Sequence, residues 1–365
     1  MKRANEEACE VLFYPNDPRY AENIRLYQGC PTLATTKGGR LYLGWYAGGT
    51  TEPHIDNYNW LVYSDDGGKT LSAPVLVIPS DRARMVHALD IQLWTDPDGR
   101  LHVFWMQDDA RVLPENPPVQ TTWTRATVTD GILFDDCTHA LWEMVCENPD
   151  ADRPAFSTPR CISTGFLRCK PLVLSDGTWL YFNYDQLNRR YGYSISRDKG
   201  ETLTRRYGAD KHEVMFDEGM AYERRDGSVR MLARTRTGEL AETLSYDGGF
   251  SWTPTVASGI DTPNARFFVA RTQSGRVMLI NNDDRKDRKN LTVYLSDDDG
   301  DTWAYKCCVD SRVKISYPDA DFYDGKIYLI YDRERTGARE ILLTVFDEND
   351  VINGAIPIPW VISKP

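Results

Sequence analysis

The sequence predicts an all-β fold: a six-bladed β-propeller of four-stranded antiparallel sheets, forming one domain over residues 1–365. Three observations predict it. A hairpin centred on a glycine turn recurs six times. A Ser/Asp/Gly turn motif recurs four times at a fixed place in the repeat. Aromatic residues are abundant (20 Tyr, 10 Trp, 12 Phe), as sheets packed face to face require.

The hairpin copies read KGGRLYLGWY, DPDGRLHVFW, SDGTWLYFNY, RDGSVRMLAR, QSGRVMLINN and YDGKIYLIYD. Their turn glycines are Gly39, Gly99, Gly177, Gly227, Gly275 and Gly325, separated by 60, 78, 50, 48 and 50 residues. A hairpin at this period means one small sheet per repeat, and such sheets stack radially around an axis. In the first repeat PTLATT is the inner strand, RLYLGWYAG the second, NWLVYSD the third and SAPVLV the outer one. Blade 2 opens at HALDIQLW, blade 3 at CKPLVL, blade 4 at GMAYERR, blade 5 at ARFFVART and blade 6 at DADFYD. Residues 1–28 are expected to help close the ring, with LFY or NIRLY pairing into the last blade. The tail IPIPWVI competes for that role.

The 78-residue gap marks an insertion over 107–168, within blades 2–3. It holds the proline-rich stretches LPENPPVQ and ENPDADRPAFSTPR. Long insertions in compact folds are commonly functional. This one reads as a peripheral loop, a contact between copies in a homo-oligomer, or a cap over the axial mouth.

Composition narrows the function. The net charge is -11, so a broad nucleic-acid footprint is excluded, and an anionic ligand needs a local arginine cluster. No apolar run approaches a membrane span. The start, MKRANEEACEVLFYP, lacks the apolar core of a secretory signal. Eight cysteines show no CxxC-type spacing, which implies reduced, packed thiols and a cytoplasmic protein. No metal or other cofactor is expected. The acidic run DDDGD (297–301) coincides with a turn motif that accounts for it.

That motif reads S-x-D-x-G-x-T-W or close to it: Ser64-Asp66-Gly68-Thr70, Ser196-Asp198-Gly200-Thr202, Ser245-Asp247-Gly249-Ser251-Trp252 and Ser296-Asp298-Gly300-Thr302-Trp303. Asp and Ser/Thr side chains can bond the backbone of a tight turn, glycine accepts a positive φ, and Trp packs between sheets. These turns are the Asp-boxes of BNR-repeat proteins, and the chain resembles the sialidase superfamily over roughly residues 25–345. The resemblance implies a six-bladed propeller and a glycosidase acting on a carbohydrate.

A propeller's chemistry gathers at its axial mouth. The starts of the inner strands offer Gln28, His87, Asp90, Lys170, Glu218, Asn264, Arg266, Tyr317 and Asp319. The loops between second and third strands add Glu52, His54, Asp56, Tyr184, Asp185, Arg234, Arg236, Arg285, Arg288, Arg333 and Arg335. Four positions match the sialidase pattern in blade and spacing. The resemblance implies that Tyr317 is the nucleophile, Glu218 its general base, and Arg234 and Arg288 two members of a clamp on a substrate carboxylate. A free phenol has a pKa near 10, so it needs a carboxylate to take its proton. A neutral phenol also suits an anomeric carbon bearing a carboxylate, where an anionic nucleophile would be repelled. Tyr-nucleophile sialidases are a known exception to the two-carboxylate rule of glycosidases.

The chain departs from the pattern at the start of blade 1. Gly29-Cys30-Pro31 stands where sialidases carry Arg-Ile-Pro. The missing arginine argues against sialic acid itself as the substrate, and Gln28 is a neutral candidate contact beside the gap. For the general acid, the blade 1 loop GGTTEPHIDNYN offers Glu52, His54 and Asp56; Glu52 and Asp56 are the favoured two, and His54 is also a candidate substrate contact. His87, Asp90, Lys170, Arg266 and Arg333 are further candidate substrate contacts. The expected function is an exo-acting glycoside hydrolase on a terminal, acidic sugar. The alternatives are a propeller-type polysaccharide lyase acting on uronates and a non-catalytic carbohydrate-binding propeller.

Overall fold

The computed structural model describes residues 3–114, 126–135, 139–213 and 218–365. Cys137 and most of LPENPPVQ lie outside them. Six antiparallel sheets follow one another in chain order, and each runs from an inner strand at the axis to an outer one. Blade 1 is Tyr27–Thr35, Leu41–Gly48, Tyr58–Ser64 and Leu76–Pro79. Blade 2 is Val86–Thr95, Leu101–Val112, Ala140–Cys146 and Arg160–Thr164. Blade 3 is Leu172–Val173, Trp179–Tyr181, Arg190–Ser196 and Thr204–Asp210. Blade 4 is Gly219–Glu223, Val229–Ala233, Glu239–Ser245 and Val256–Asp261. Blade 5 is Phe268–Arg271, Val277–Asn282, Lys289–Ser296 and Tyr305–Val313. Blade 6 is Ile315–Tyr323, Lys326–Arg333, Glu340–Phe346 and Trp360–Ser363. The expected all-β propeller is therefore the observed one.

Ring closure differs from the expectation for the N-terminal segment. Leu12–Phe13 adds to the outer edge of blade 1, pairing Leu12 with Val77, and not to the last blade. The tail supplies the outer strand of blade 6, where Trp360 pairs with Leu343. Among the described residues no strand pairs across the seam between blades 1 and 6. One backbone bond, Gln28 N to Arg335 O (3.1 Å), and three aspartates stitch it: Cys30 N donates to Asp332 Oδ2 (2.8 Å), Thr32 Oγ1 to Asp319 Oδ2 (2.7 Å) and Thr35 N to Asp321 Oδ2 (2.8 Å). The apolar layers lie between blades, and Trp45 and Trp105 are wholly buried there. Complete burial of one large apolar side chain contributes about 1.5–3 kcal/mol.

The region 107–168 runs from blade 2 into the start of blade 3, where Phe166 pairs with Tyr184. It includes the third and fourth strands of blade 2 and a hairpin, Ala126–Thr129 with Ile132–Asp135, that pairs onto the prolonged second strand at Ala110–Val112. Ile132 and Phe134 pack with Ile55 of the blade 1 loop, so the hairpin stands on the mouth side between blades 1 and 2.

Each Asp-box joins a third strand to a fourth. In the last copy Gly300 N donates to Ser296 Oγ (2.7 Å), Thr302 N to Asp298 Oδ1 (2.8 Å) and Thr302 Oγ1 to Asp298 Oδ2 (2.6 Å). Gly300 has φ +86°, which only glycine adopts without strain. Trp252 packs on Phe182 and Tyr193 of the preceding blade, whereas Trp303 lies against Tyr294 of its own blade.

Candidate active site

Strand geometry builds the mouth. The inner strands of blades 1, 2 and 6 each carry one extra residue relative to their partner strand, between Gly29 and Thr32, Leu89 and Gln92, and Ser316 and Asp319. Each bulge puts a non-glycine residue in the left-handed region: Cys30 (φ +54°), Asp90 (φ +54°) and Tyr317 (φ +55°). Such residues cost of order 1–2 kcal/mol each and persist where the surroundings over-determine them. Bulges of this kind re-aim side chains at functional sites. The equivalent positions in blades 3, 4 and 5 are Arg168, Glu218 and Arg266. All six stand nine residues before the turn glycine of their blade, or eight in blade 6.

The Tyr317 hydroxyl donates to Glu218 Oε1 at 2.9 Å. Arg234 Nη1 donates to Glu218 Oε2 (2.7 Å) and lies 3.4 Å from the Tyr317 oxygen. Asn264 orients Arg234 through its side chain (2.6 Å) and carbonyl (3.0 Å), and the same carbonyl accepts from Arg288 Nη2 (3.0 Å). Burial opposes ionisation of Glu218, but the charges of Arg234 and Arg168 outweigh it and hold the group below its ordinary range. Burial, and then the Glu218 charge, push the Tyr317 phenol well above 10. The pair is therefore a neutral phenol beside a carboxylate. Burial first, and then the nearby charges of Arg335 and Arg234, lower the Arg288 guanidinium's pKa.

Across from this pair, Glu52 and Asp90 approach Cys30, with ligand atoms of the three within 4.8 Å of one another. Glu52 Oε2 accepts from the Tyr27 hydroxyl (2.7 Å) and from Arg335 Nη1 (2.8 Å). Asp90 lies 3.6 Å from Arg168. Burial, partly offset by Arg168 and reinforced by the charges of Glu52 and Glu218, pushes the Asp90 carboxyl up to about 6. Cys30, Glu52 and Asp90 are the group among the described residues that gathers as metal ligands do. Arg335 stands 2.8 Å from Glu52 and Arg168 3.6 Å from Asp90, so guanidinium groups supply counter-charge to the cluster.

Several expected site residues stand elsewhere. Gln28 is wholly buried, donating to Arg339 O (2.5 Å) and Ser363 Oγ (3.1 Å), and its amide ties the seam rather than facing the mouth. Asp56 is half-exposed at the rim and paired with Arg82 at 2.5 Å. His54 is bonded to Asp130 at the tip of the blade 2 hairpin (3.1 Å), linking the rim to the insertion. His87 is wholly buried, bonded to the Tyr46 hydroxyl and near Asp108, between blade 1 and the hairpin. Lys170 and Arg266 form the floor with Asp319, at 2.8 and 3.6 Å. Arg333 pairs with Glu340 (2.9 Å), away from the phenol. Below the floor, the later halves of the inner strands of blades 3–6 line a cavity of about 370 Å³ that opens on the opposite face.

Cys30 and Arg168, which face the mouth, were not among the candidates, and Arg335 was one loop cation among many. The signal that finds the first two is the count back from each turn glycine. Strand starts read without that count took Gln28 and Lys170, each two residues out of place along the axis.

Residues 150–329 match the BNR repeat-like domain family. Three solved structures share the fold at 17% sequence identity. The intramolecular trans-sialidase from Ruminococcus gnavus, bound to oseltamivir carboxylate, superposes with a TM-score of 0.69 over 94% of this chain and 98% of its own. The leech intramolecular trans-sialidase gives 0.70 over 95% and 71%, and the NanB sialidase from Streptococcus pneumoniae gives 0.66 over 95% and 71%. No curated protein sequence matches the chain. Residues 150–329 thus match a BNR repeat-like domain, and the chain as a whole is a six-bladed propeller that shares its fold with these sialidases.

Proposed function

We propose that the protein is a sialidase-like, exo-acting glycoside hydrolase that removes a terminal acidic sugar from a glycan or oligosaccharide. One observation carries this reading: a phenol 2.9 Å from a buried carboxylate, surrounded by guanidinium groups. A carboxylate held below its ordinary range does not deprotonate a resting phenol. Proton transfer from Tyr317 to Glu218 therefore accompanies attack on the anomeric carbon, as positive charge develops there. Arg234 stabilises both oxygens during that transfer. Arg288, bonded to the neutral Asn264 carbonyl, is the cation available to a substrate carboxylate.

The leaving-group proton comes from the Glu52–Asp90 pair. Two neighbouring carboxylates resist carrying two charges, and Asp90 retains its proton up to about pH 6. Asp56 at the rim has no part in this. The test is a panel of aryl glycosides of ulosonic, uronic and neutral sugars, run with wild type and Tyr317→Phe. Turnover of an acidic member, abolished by the substitution, supports the reading. No turnover by folded protein overturns it. A product absorbing as an unsaturated uronate would replace it with a lyase.

A further inference from the structure

Blade 1 carries a glycine that its backbone does not require. Gly29 lies in the inner strand Tyr27–Thr35 and is outside the positive-φ region. Its space is taken by Arg335, from the loop between the second and third strands of blade 6. A methyl group at residue 29 would stand 2.8 Å from Arg335 Cγ and Cδ and 2.9 Å from Nε. Hydrogen bonds hold that side chain in place. Its Nε donates to Asp332 Oδ2 (2.9 Å), its Nη1 donates to Glu52 Oε2 (2.8 Å), and its backbone carbonyl accepts from Gln28 N (3.1 Å). Its guanidinium carbon lies 4.2 Å from the centre of the Tyr317 ring. Those of Arg168, Arg288 and Arg266 lie at 5.3, 5.8 and 5.9 Å.

We propose that Arg335 is a specificity-determining residue. Reaching across Gly29 from blade 6, it joins Arg234 and Arg288 as the third guanidinium at the seat of the substrate's anionic group, in place of any side chain from blade 1. This rests on the acidic-sugar reading above. Gly29 is then a functional residue without a side chain, because the cation exists at this spot only while residue 29 leaves it empty. Asp332 and Glu52 hold the guanidinium at a fixed angle, which directs the anion rather than only attracting it.

Calorimetric titration with oseltamivir carboxylate, and with its ethyl ester as the neutral counterpart, tests this. Wild type is expected to prefer the acid. Arg335→Met weakens acid binding about 10- to 100-fold and leaves ester binding unchanged. Arg335→Lys recovers part of the loss. Gly29→Ala keeps the charge but displaces the side chain, and loses acid affinity in the same direction. It carries the test if Arg335→Met fails to fold, as judged by thermal melting. Wild-type acid affinity in folded Arg335→Met or in Gly29→Ala overturns the proposal alone. Equal or absent binding of acid and ester by wild type overturns the acidic-sugar reading, and this proposal with it, before any variant is made.

Discussion

Asp298 and Asp90 are aspartates of one propeller treated in opposite ways. Asp298, in an exposed turn, is bonded by the Thr302 hydroxyl, the Thr302 amide and Ser296, all within four residues, and its carboxyl sits at about 2. Asp90 is buried at the mouth, its nearest cation is 3.6 Å away, and its carboxyl sits at about 6. One is satisfied locally and serves as a staple. The other is left incompletely satisfied among charged groups from four other blades, which is why we propose it as a proton donor. Local satisfaction marks structure and its absence marks chemistry.

If this contrast holds, substitutions at the mouth lower activity with little loss of stability, and substitutions in the turns do the reverse. The largest expected effect is from Tyr317→Phe, which lowers kcat about 10⁴-fold or more with an unchanged melting temperature. Wild-type rates would remove the phenol from the mechanism. Asp90→Asn lowers kcat about 10²-fold or more. In wild type, kcat falls as the pH rises through about 6, because the proton donor is lost there, and the variant lacks that limb. A limb retained in Asp90→Asn moves the donor role to Glu52. Arg288→Met raises KM about 10- to 100-fold on an acidic substrate, with less effect on kcat. An equal effect on a neutral substrate would break the link between this arginine and the anion.

At the turns, Gly300→Ala costs about 1–3 kcal/mol of stability, from strain at φ +86° and collision with the Tyr222 hydroxyl, and spares kcat. The smallest effect is in the pH dependence of stability. The carboxyls of Asp66, Asp198 and Asp298 are held near 2, below their ordinary 3.8. They contribute stability above pH 3.8 that is lost as the pH falls through about 2. Acid melts of Asp298→Asn should lose part of that decline. An unchanged acid transition would mean the turns do not hold the blades.

Much of the fold was legible because its signals are local. A glycine turn, an alternating strand and an Asp-box are written within about ten residues, and their sixfold recurrence is visible without contacts. The Tyr317–Glu218 pair was legible only through resemblance, since the two residues are 99 apart in sequence. The errors share a cause. Side chains alternate along a strand and every two residues advance about 6.6 Å along it, so a strand start placed two residues off names a floor or seam residue instead of a mouth residue. Lys170 for Arg168 and Gln28 for Cys30 are that error. The N-terminal segment was misassigned because LFY carries no signal for which exposed edge it will join.

The sequence alone determined the number of blades, the order of their strands and the turns that fasten them, because hydrogen bonds between near neighbours encode these. Tertiary structure alone decided which charges meet. Bulges in three inner strands turn Cys30, Asp90 and Tyr317 toward the axis, and an arginine from the last blade fills the space that a glycine leaves in the first. Contacts across a closed ring depend on depth and angle, and a linear reading of residue types carries neither.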